Sequence, residues 1–573
     1  MGIDLSIKIG GEAGQGLQSI GYILSKSLAK GGFFIFANRD VMSRIRGGHN
    51  FFQIRISEES IQAISEKVHL LVALDEQSIF QHQHELVKDG MIIFNGKKTF
   101  QKNLDRNLLT VPFEILAKEK IGRSIMANSV AAGSALRLLN YDFNYLESVL
   151  NEEFKKKSVE VAEKNIQAAL VGYEYVKENS NDFKYGINPI NVSYKRLLIT
   201  GNEAIASGAL ISGCKFLSGY PMSPSTPIQQ YFASKMKDYP IVYDQAEDEI
   251  AAINMILGAS FAGVRAMTAT SGGGFSLMTE GLSLAGMTET PAVIVIAQRP
   301  GPATGFPTRT EQGELEFIIH AGHGEFPRAV FAPGNAEQAF YLTSKAFNLS
   351  EKYQIPVIIL SDQHLSDSYY TVKRFDTSKI KIERGIFYAL SDKEEYGEYR
   401  RHLITDSGIS PRLFPGEDLG LVVTDSDEHN EEGHIIEDAE TRNNNVNKRL
   451  RKFEKLKNEI SPPFEFGPNN ADILLIGWGS SFGALKEAVN LLNSEGQKTR
   501  MLHFSEIWPF PRSNFLKVVK DAKLTINVEN NSTGQLAHVI RAETGFEVNS
   551  KILRYDGRPL SPAYIIHEME RLG

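Results

Sequence analysis

Cysteine is nearly missing from this chain, which has one, Cys214, among 573 residues. A lone cysteine makes no internal disulfide, no CxxC redox pair and no four-cysteine iron–sulfur site, so this chain does not hold a cluster by itself. Cys214, in GALISGCKFL, reads as a small buried residue. Long apolar runs are missing as well; none approaches the roughly 20 residues that cross a bilayer. The N-terminal MGIDLSIKIGGEAGQG lacks a charged segment followed by an apolar one, which argues against secretion. Its match to the myristoylation pattern is read as chance. Nor is there a basic excess. The net charge of −7 and pI near 6.1 argue against a surface that coats nucleic acid. The expectation is a cytoplasmic protein that avoids membranes.

What is present is ordinary for a globular protein, with 42% apolar and 23% charged residues, and the length implies three or four domains. Three α/β blocks can be read. In the first, residues 1–178, IDLSIKIGG leads through EAGQG to the helical LQSIGYILSKSLAKGG. VHLLVALD, a helix-like segment ending in HELVKDG, and MIIFNG then repeat the strand–helix–strand rhythm of a parallel sheet. A polar linker, 179–194, precedes the second block, 195–415, which starts at RLLITGNEAIASGAL. Its buried-strand candidates are VRAMTAT, PAVIVIAQ and PVIILSD. A charged segment, 416–470, follows, and its tail has the charge spacing of a solvated helical arm. The last block, 471–573, opens at ADILLIGWGSS.

Several stretches suit chemistry. GGEAGQG, Gly10 to Gly16, lies at a strand-to-helix junction where glycines let backbone N–H groups approach a phosphate. By itself it fits a ligand turn and a plain tight turn equally, and its spacing is not the GxGxxG of an NAD-binding dehydrogenase. RIRGGHN sets Arg44, Arg46 and His49 beside two glycines, which suits an anionic ligand or a subunit interface. In GYPMSPSTP three prolines stiffen a loop carrying Ser223, Ser225 and Thr226. Glu247, Asp248 and Glu249 open a small-residue helix, a placement that helix electrostatics alone would explain. Gly272, Gly273 and Gly274 imply a close backbone approach or an unliganded turn. Arg299 follows PAVIVIAQ, at the end where open parallel sheets bind ligands, as a carboxylate receptor or a structural ion pair. Asp425, Asp427, His429, Glu431, Glu432 and His434 match a loose metal pattern, but a solvated loop is the preferred reading.

Taken together these stretches resemble the 2-oxoacid:ferredoxin oxidoreductases. The chain looks most like an alpha subunit with the gamma domain fused at its N-terminus, and most like the 2-oxoglutarate enzymes. GGEAGQG with RIRGGHN resembles the gamma domain. GNEAIASGAL, YPMSPST, TATSGGGFSLM and RPGPATGFPT resemble the pyrimidine-side domain for thiamine diphosphate. WGSSFGALKEAV and VENNSTGQLA resemble the transketolase C-terminal-like domain. The fold implied is multidomain α/β, with a Rossmann-like gamma domain followed by those two.

The resemblance also implies roles. Glu249 is placed against the thiamine aminopyrimidine, with Glu247 in reserve, and such a glutamate should be partly buried with a raised pKa. Gly273 joins it in cofactor binding. Ser223, Arg299 and Thr308 are placed on the 2-oxoacid, where one cation and two hydroxyls suit a carboxylate beside a carbonyl. Arg46 is the candidate for coenzyme A. The sequence has no GDG followed by asparagine and no CxxC. In the family, Mg²⁺ with the cofactor diphosphate, and the [4Fe–4S] cluster, belong to a beta subunit. This chain should therefore hold half an active site, in a heterotetramer of two alpha and two beta subunits that passes electrons to ferredoxin. The implied reaction is oxidative decarboxylation of 2-oxoglutarate with coenzyme A to succinyl-CoA and CO2. Pyruvate or a branched-chain 2-oxoacid is the alternative substrate, and a non-catalytic binding or regulatory subunit the alternative from another class. The family usually reads YPITP where this sequence has Met222 and Ser223.

Overall fold

A computed structural model describes residues 2–43, 47–96, 107–180, 183–190, 192, 196–391 and 397–572. The chain divides into two compact units. The first comprises Met1–Thr200, Asp367–Phe375 and Ser561–Tyr564. Its eight-stranded sheet runs in the order Asn107–Thr110, Leu86–Phe94, Val68–Ala73, Asp4–Glu12, His49–Ser57, Phe34–Asp40, Tyr369–Lys373, Arg196–Thr200. The first four strands pair in parallel; the rest pair antiparallel. The parallel rhythm read from sequence thus describes half of the sheet. Two local readings change. LVKDG is strand, not helix end: the helix Glu76–His82 stops early, and Leu86 pairs with Val68 ahead of the parallel run Met91–Phe94. RLLIT, read as opening the second block, hydrogen-bonds into the first unit's sheet through Tyr369–Lys373. In both places β pairing with distant chain decides the outcome, which local pattern does not report.

The second unit comprises Gly201–Ser366, Asp376–Leu560 and Ile565–Gly573. A seven-stranded sheet has the order Glu506–Trp508, Ala329–Phe331, Pro356–Asp362, Ala292–Gln298, Ala266–Thr270, Phe216–Gly219, Val242–Gln245. All but the first of these pair in parallel. AVIVIAQ and PVIILSD are buried along their whole length, as strands covered on both faces must be, which is why they read as continuous apolar runs. A five-stranded sheet, Phe464–Phe466, Thr499–Phe504, Ile473–Trp478, Leu524–Glu529, Ser550–Leu553, completes the unit. Side chains from both sheets, including Ile294, Leu360, Ile476 and Phe504, share one core.

The charged segment departs from its expectation. Its helix Ala439–Leu456, capped by Asp438 accepting from the Thr441 N–H at 2.8 Å, is not a solvated arm. Lys448 and Lys452, one turn apart on one face, are each 1% exposed, and both pair with Glu289. Burial alone would push the Glu289 carboxyl up, but the two ammonium groups outweigh it and hold it well below the usual carboxylate range. The same burial pulls Lys452 down to about 7. Arg401 donates to the Glu289 carbonyl at 2.7 Å, and the Glu289 backbone takes a left-handed φ of 50°. The lysine spacing was legible, but not the buried partner it serves.

Candidate active site

Four neighbouring parallel strands of the second unit, Ala292–Gln298, Ala266–Thr270, Phe216–Gly219 and Val242–Gln245, end at one edge of the sheet. The segments that follow them carry the candidate residues, as expected of an α/β sheet that binds ligands beyond its carboxyl ends.

After Phe216–Gly219 comes the proline-rich loop. Its rigidity does not come from prolines alone. Asn202 donates from Nδ2 to the Pro224 carbonyl at 3.0 Å, and Ser225 turns its hydroxyl back onto the Met222 carbonyl at 2.8 Å. Gln229 donates to the carbonyls of Tyr220 and Ala269, each at 3.1 Å. Ser225 is buried, whereas Ser223 is exposed. Arg299, after Ala292–Gln298, donates from Nη1 to the Ser223 carbonyl at 2.7 Å. The loop and the arginine are thus tied through backbone, leaving the Ser223 hydroxyl out of that bond.

After Val242–Gln245, Asp248 caps the helix Glu249–Phe261 by accepting from the Ala251 N–H at 2.7 Å. Glu249 is 3% exposed and its Oε1 is buried without a hydrogen-bond partner. Burial, with the neighbouring Asp248 carboxylate, pushes the Glu249 carboxyl up. Glu247 is exposed. Gly274, in the first turn of Gly272–Met287, provides the room: a Cβ there would lie 2.6 Å from Glu249 Oε1 and collide with Thr270 Oγ1. A buried carboxyl oxygen without a partner costs free energy unless something else satisfies it. Glu249 therefore fits a group with a hydrogen-bonding ring nitrogen, which is what an aminopyrimidine offers. Gly273, exposed at the helix start, faces only the Ala303 carbonyl, which a Cβ would approach to 3.9 Å.

Thr308 sits half-buried in the turn where Arg309 N–H donates to the Phe306 carbonyl at 3.1 Å. Among the described residues it makes no hydrogen bond to Ser223 or Arg299. A residue absent from the sequence reading stands closer. Glu314 lies against Gly272, where a Cβ would collide with its carboxyl, and within electrostatic reach of Arg299. Its Oε2 is buried with no partner. The only hint in the sequence was a carboxylate in the glycine-containing TEQGE that trails GFPTRT.

In the first unit, Gly14 and Gly16 adopt φ of 92° and 81°, which only glycine takes without strain. The turn borders a cavity of about 360 Å³ lined also by Gln15, Asn95, Ser124 and Asn128. Arg44 and Arg46 lie outside the described residues. His49 is buried, its Nε2 2.7 Å from His82 Nε2. In the acidic stretch, Glu431 pairs with Arg400, and the His429 ring lies 3.9 Å from that of His402. Among the described residues, no group of three or more His, Cys, Asp or Glu side chains is placed to hold a metal ion. Nor is any helix of the described residues long and apolar enough to cross a membrane. Cys214 is buried.

Comparison with known proteins gives this geometry its context. Residues 207–448 match the thiamine diphosphate-binding domain of pyruvate flavodoxin/ferredoxin oxidoreductases. Residues 6–175 match the pyruvate ferredoxin/flavodoxin oxidoreductase family, and 471–565 core domain II of pyruvate:ferredoxin oxidoreductase. A 2-oxoacid:ferredoxin oxidoreductase subunit alpha from a Sulfolobus species is 34% identical over 97% of this chain and 95% of that protein. The 2-oxoglutarate oxidoreductase subunit KorA of Mycobacterium tuberculosis is 30% identical over 95% of this chain and 88% of its own. The structure of 2-oxoglutarate:ferredoxin oxidoreductase from Magnetococcus marinus, with 2-oxoglutarate, coenzyme A and succinyl-CoA bound, superposes with a TM-score of 0.91 at 30% identity, covering 99% of each chain. This chain belongs to the 2-oxoacid:ferredoxin oxidoreductase family, among its alpha subunits.

Proposed function

We propose that the chain is the alpha subunit, carrying a fused gamma-type domain, of a 2-oxoglutarate:ferredoxin oxidoreductase. The observation that carries this reading is the Glu249 Oε1, buried and without a hydrogen-bond partner against Gly274, at the same sheet edge as the Arg299–Ser223 pair. The choice of 2-oxoglutarate is supported by the KorA relative and by the ligand-bound Magnetococcus enzyme.

Thiamine diphosphate, when bound, supplies the electron sink for decarboxylation. Glu249 holds a proton at the aminopyrimidine ring nitrogen, a task suited to a carboxyl whose burial favours its neutral form. Gly273 and Gly274 keep the helix start clear for the ring. Arg299 receives the substrate carboxylate, and the exposed Ser223 hydroxyl and Thr308 add neutral donors that fix its orientation. Coenzyme A is assigned to the first unit's glycine turn, with Arg46 as its cation. Products are succinyl-CoA and CO2, and the electrons leave for ferredoxin.

The cofactor's Mg²⁺ and diphosphate, and the [4Fe–4S] cluster, belong in this reading to a beta subunit, with two of each subunit in a cytoplasmic complex. Ile250 and Leu277, 47% and 50% exposed, line a groove of about 680 Å³ on the helices that carry Glu249 and Gly274. Large apolar side chains exposed beside a half-built site suit a partner that completes it. Reduction of a viologen dye by the purified complex tests the substrate: activity with 2-oxoglutarate and coenzyme A is expected. Activity with pyruvate and none with 2-oxoglutarate would overturn the substrate assignment.

A further inference from the structure

One carboxyl group, that of Glu314, lies within electrostatic reach of the Arg299 guanidinium. Glu314 in turn feels the carboxyls of Glu311 and of Asp362, the last residue of Pro356–Asp362. Asp362 is 2% exposed and already occupied: it accepts from the Leu365 N–H at 2.9 Å and from Thr310 Oγ1 at 3.3 Å. Glu314 is held by its backbone, whose N–H donates to Gln298 Oε1 at 3.0 Å. Its carboxyl is pressed against Gly272, in a helix turn that carries no charged side chain; the next carboxyl along that helix face is Glu249, against Gly274. Arg299 spends its Nη1 on the Ser223 carbonyl, and Glu314 Oε2 stays buried and unpartnered. A cation that shares its charge with an ionised Glu314 attracts a substrate carboxylate less strongly.

We infer that Glu314 is a positioning residue that gates the carboxylate receptor: it carries a proton while the 2-oxoacid is bound, so that Arg299 keeps its charge for the substrate, and on losing that proton it competes for Arg299 and repels the substrate carboxylate. This rests on the reading of Arg299 as the receptor. The electrostatics agree with the geometry. Burial, reinforced by Glu311, pushes the Glu314 carboxyl up to about 8 even with Arg299 nearby. Glu314 is then neutral at physiological pH and ionises just above it. No other group need move.

The test is the pH dependence of KM and kcat for the 2-oxoacid in the purified complex, on both sides of pH 8. KM should rise above that point, approaching tenfold per pH unit by proton linkage, while kcat does not follow. Glu314→Gln, neutral at every pH, should keep the low-pH KM and abolish the rise. A Glu314→Gln complex that retains the alkaline rise in KM overturns the proposal. Arg299→Ala separates the two readings. If it leaves KM unchanged, the receptor assignment itself fails; if it raises KM while Glu314→Gln keeps the rise, only the role of Glu314 fails. Infrared difference spectra of the unliganded complex give a readout without turnover. A protonated-carboxyl band lost with a midpoint near 8, and missing in Glu314→Gln, is expected; its absence from the parent complex overturns the proposal.

Discussion

Arg299 Nη1 lies 2.7 Å from the carbonyl oxygen of Ser223, so the cation and the proline-rich loop are fixed relative to each other. Pre-set geometry of this kind lowers the ordering cost of binding. Arg299→Ala removes a charge-assisted hydrogen bond to the substrate carboxylate and also unties the loop. Such bonds contribute about 1.5–3 kcal/mol, so KM for the 2-oxoacid should rise roughly 10- to 100-fold. Steady-state kinetics of the reconstituted complex check this, and an unchanged KM contradicts it.

Ser223→Ala separates the loop's backbone role from its hydroxyl. The Arg299 bond uses the carbonyl, which alanine keeps, so the loop should stay in place. Loss of one neutral donor costs about 1 kcal/mol. A KM rise of roughly fivefold, with thermal stability unchanged, is expected in the same assay.

Gly274→Ala tests the room made for Glu249. Alanine is the better helix former by about 1 kcal/mol, and Gly274 needs no left-handed backbone. Its Cβ would nevertheless collide with Thr270 and crowd Glu249. Activity should therefore fall sharply, and the melting temperature should drop as well, because overpacking at a buried site costs about 1–3 kcal/mol; dye reduction and thermal unfolding of the complex measure the two.

Glu289→Ala should be severely destabilising. It leaves two buried ammonium groups, Lys448 and Lys452, without their carboxylate, a situation that costs about 3–5 kcal/mol. Denaturant unfolding of the full chain would show it as a lowered midpoint, and an unshifted midpoint would contradict the clamp. The triple replacement of Glu289, Lys448 and Lys452 by apolar residues should recover much of the loss.

Much of this was legible in residues, and the remainder depended on distant chain. AVIVIAQ and PVIILSD announce buried parallel strands because both faces must be apolar. The site edge then follows from which residues come next: Arg299 after one strand, the proline loop after another. What local pattern does not carry is pairing at a distance. LVKDG is strand because Val68 pairs with Leu86, and the charged helix is buried because Glu289, some 160 residues earlier, accepts its lysines. Glu314 was missed for the same reason: nothing in TEQGE says that its carboxyl ends against Gly272 rather than in water.

Glu249 carries the central chemistry in the proposed function. Glu249→Gln keeps the size and the burial but removes the carboxyl proton, so the folded complex should persist and bind substrate. Substrate-dependent dye reduction by that complex, compared with the parent, is the direct measurement. A fall in kcat of about 10²- to 10⁴-fold, the usual contribution of a proton-transferring group, is predicted. Turnover within a few-fold of the parent would contradict the placement of Glu249 at the reacting cofactor.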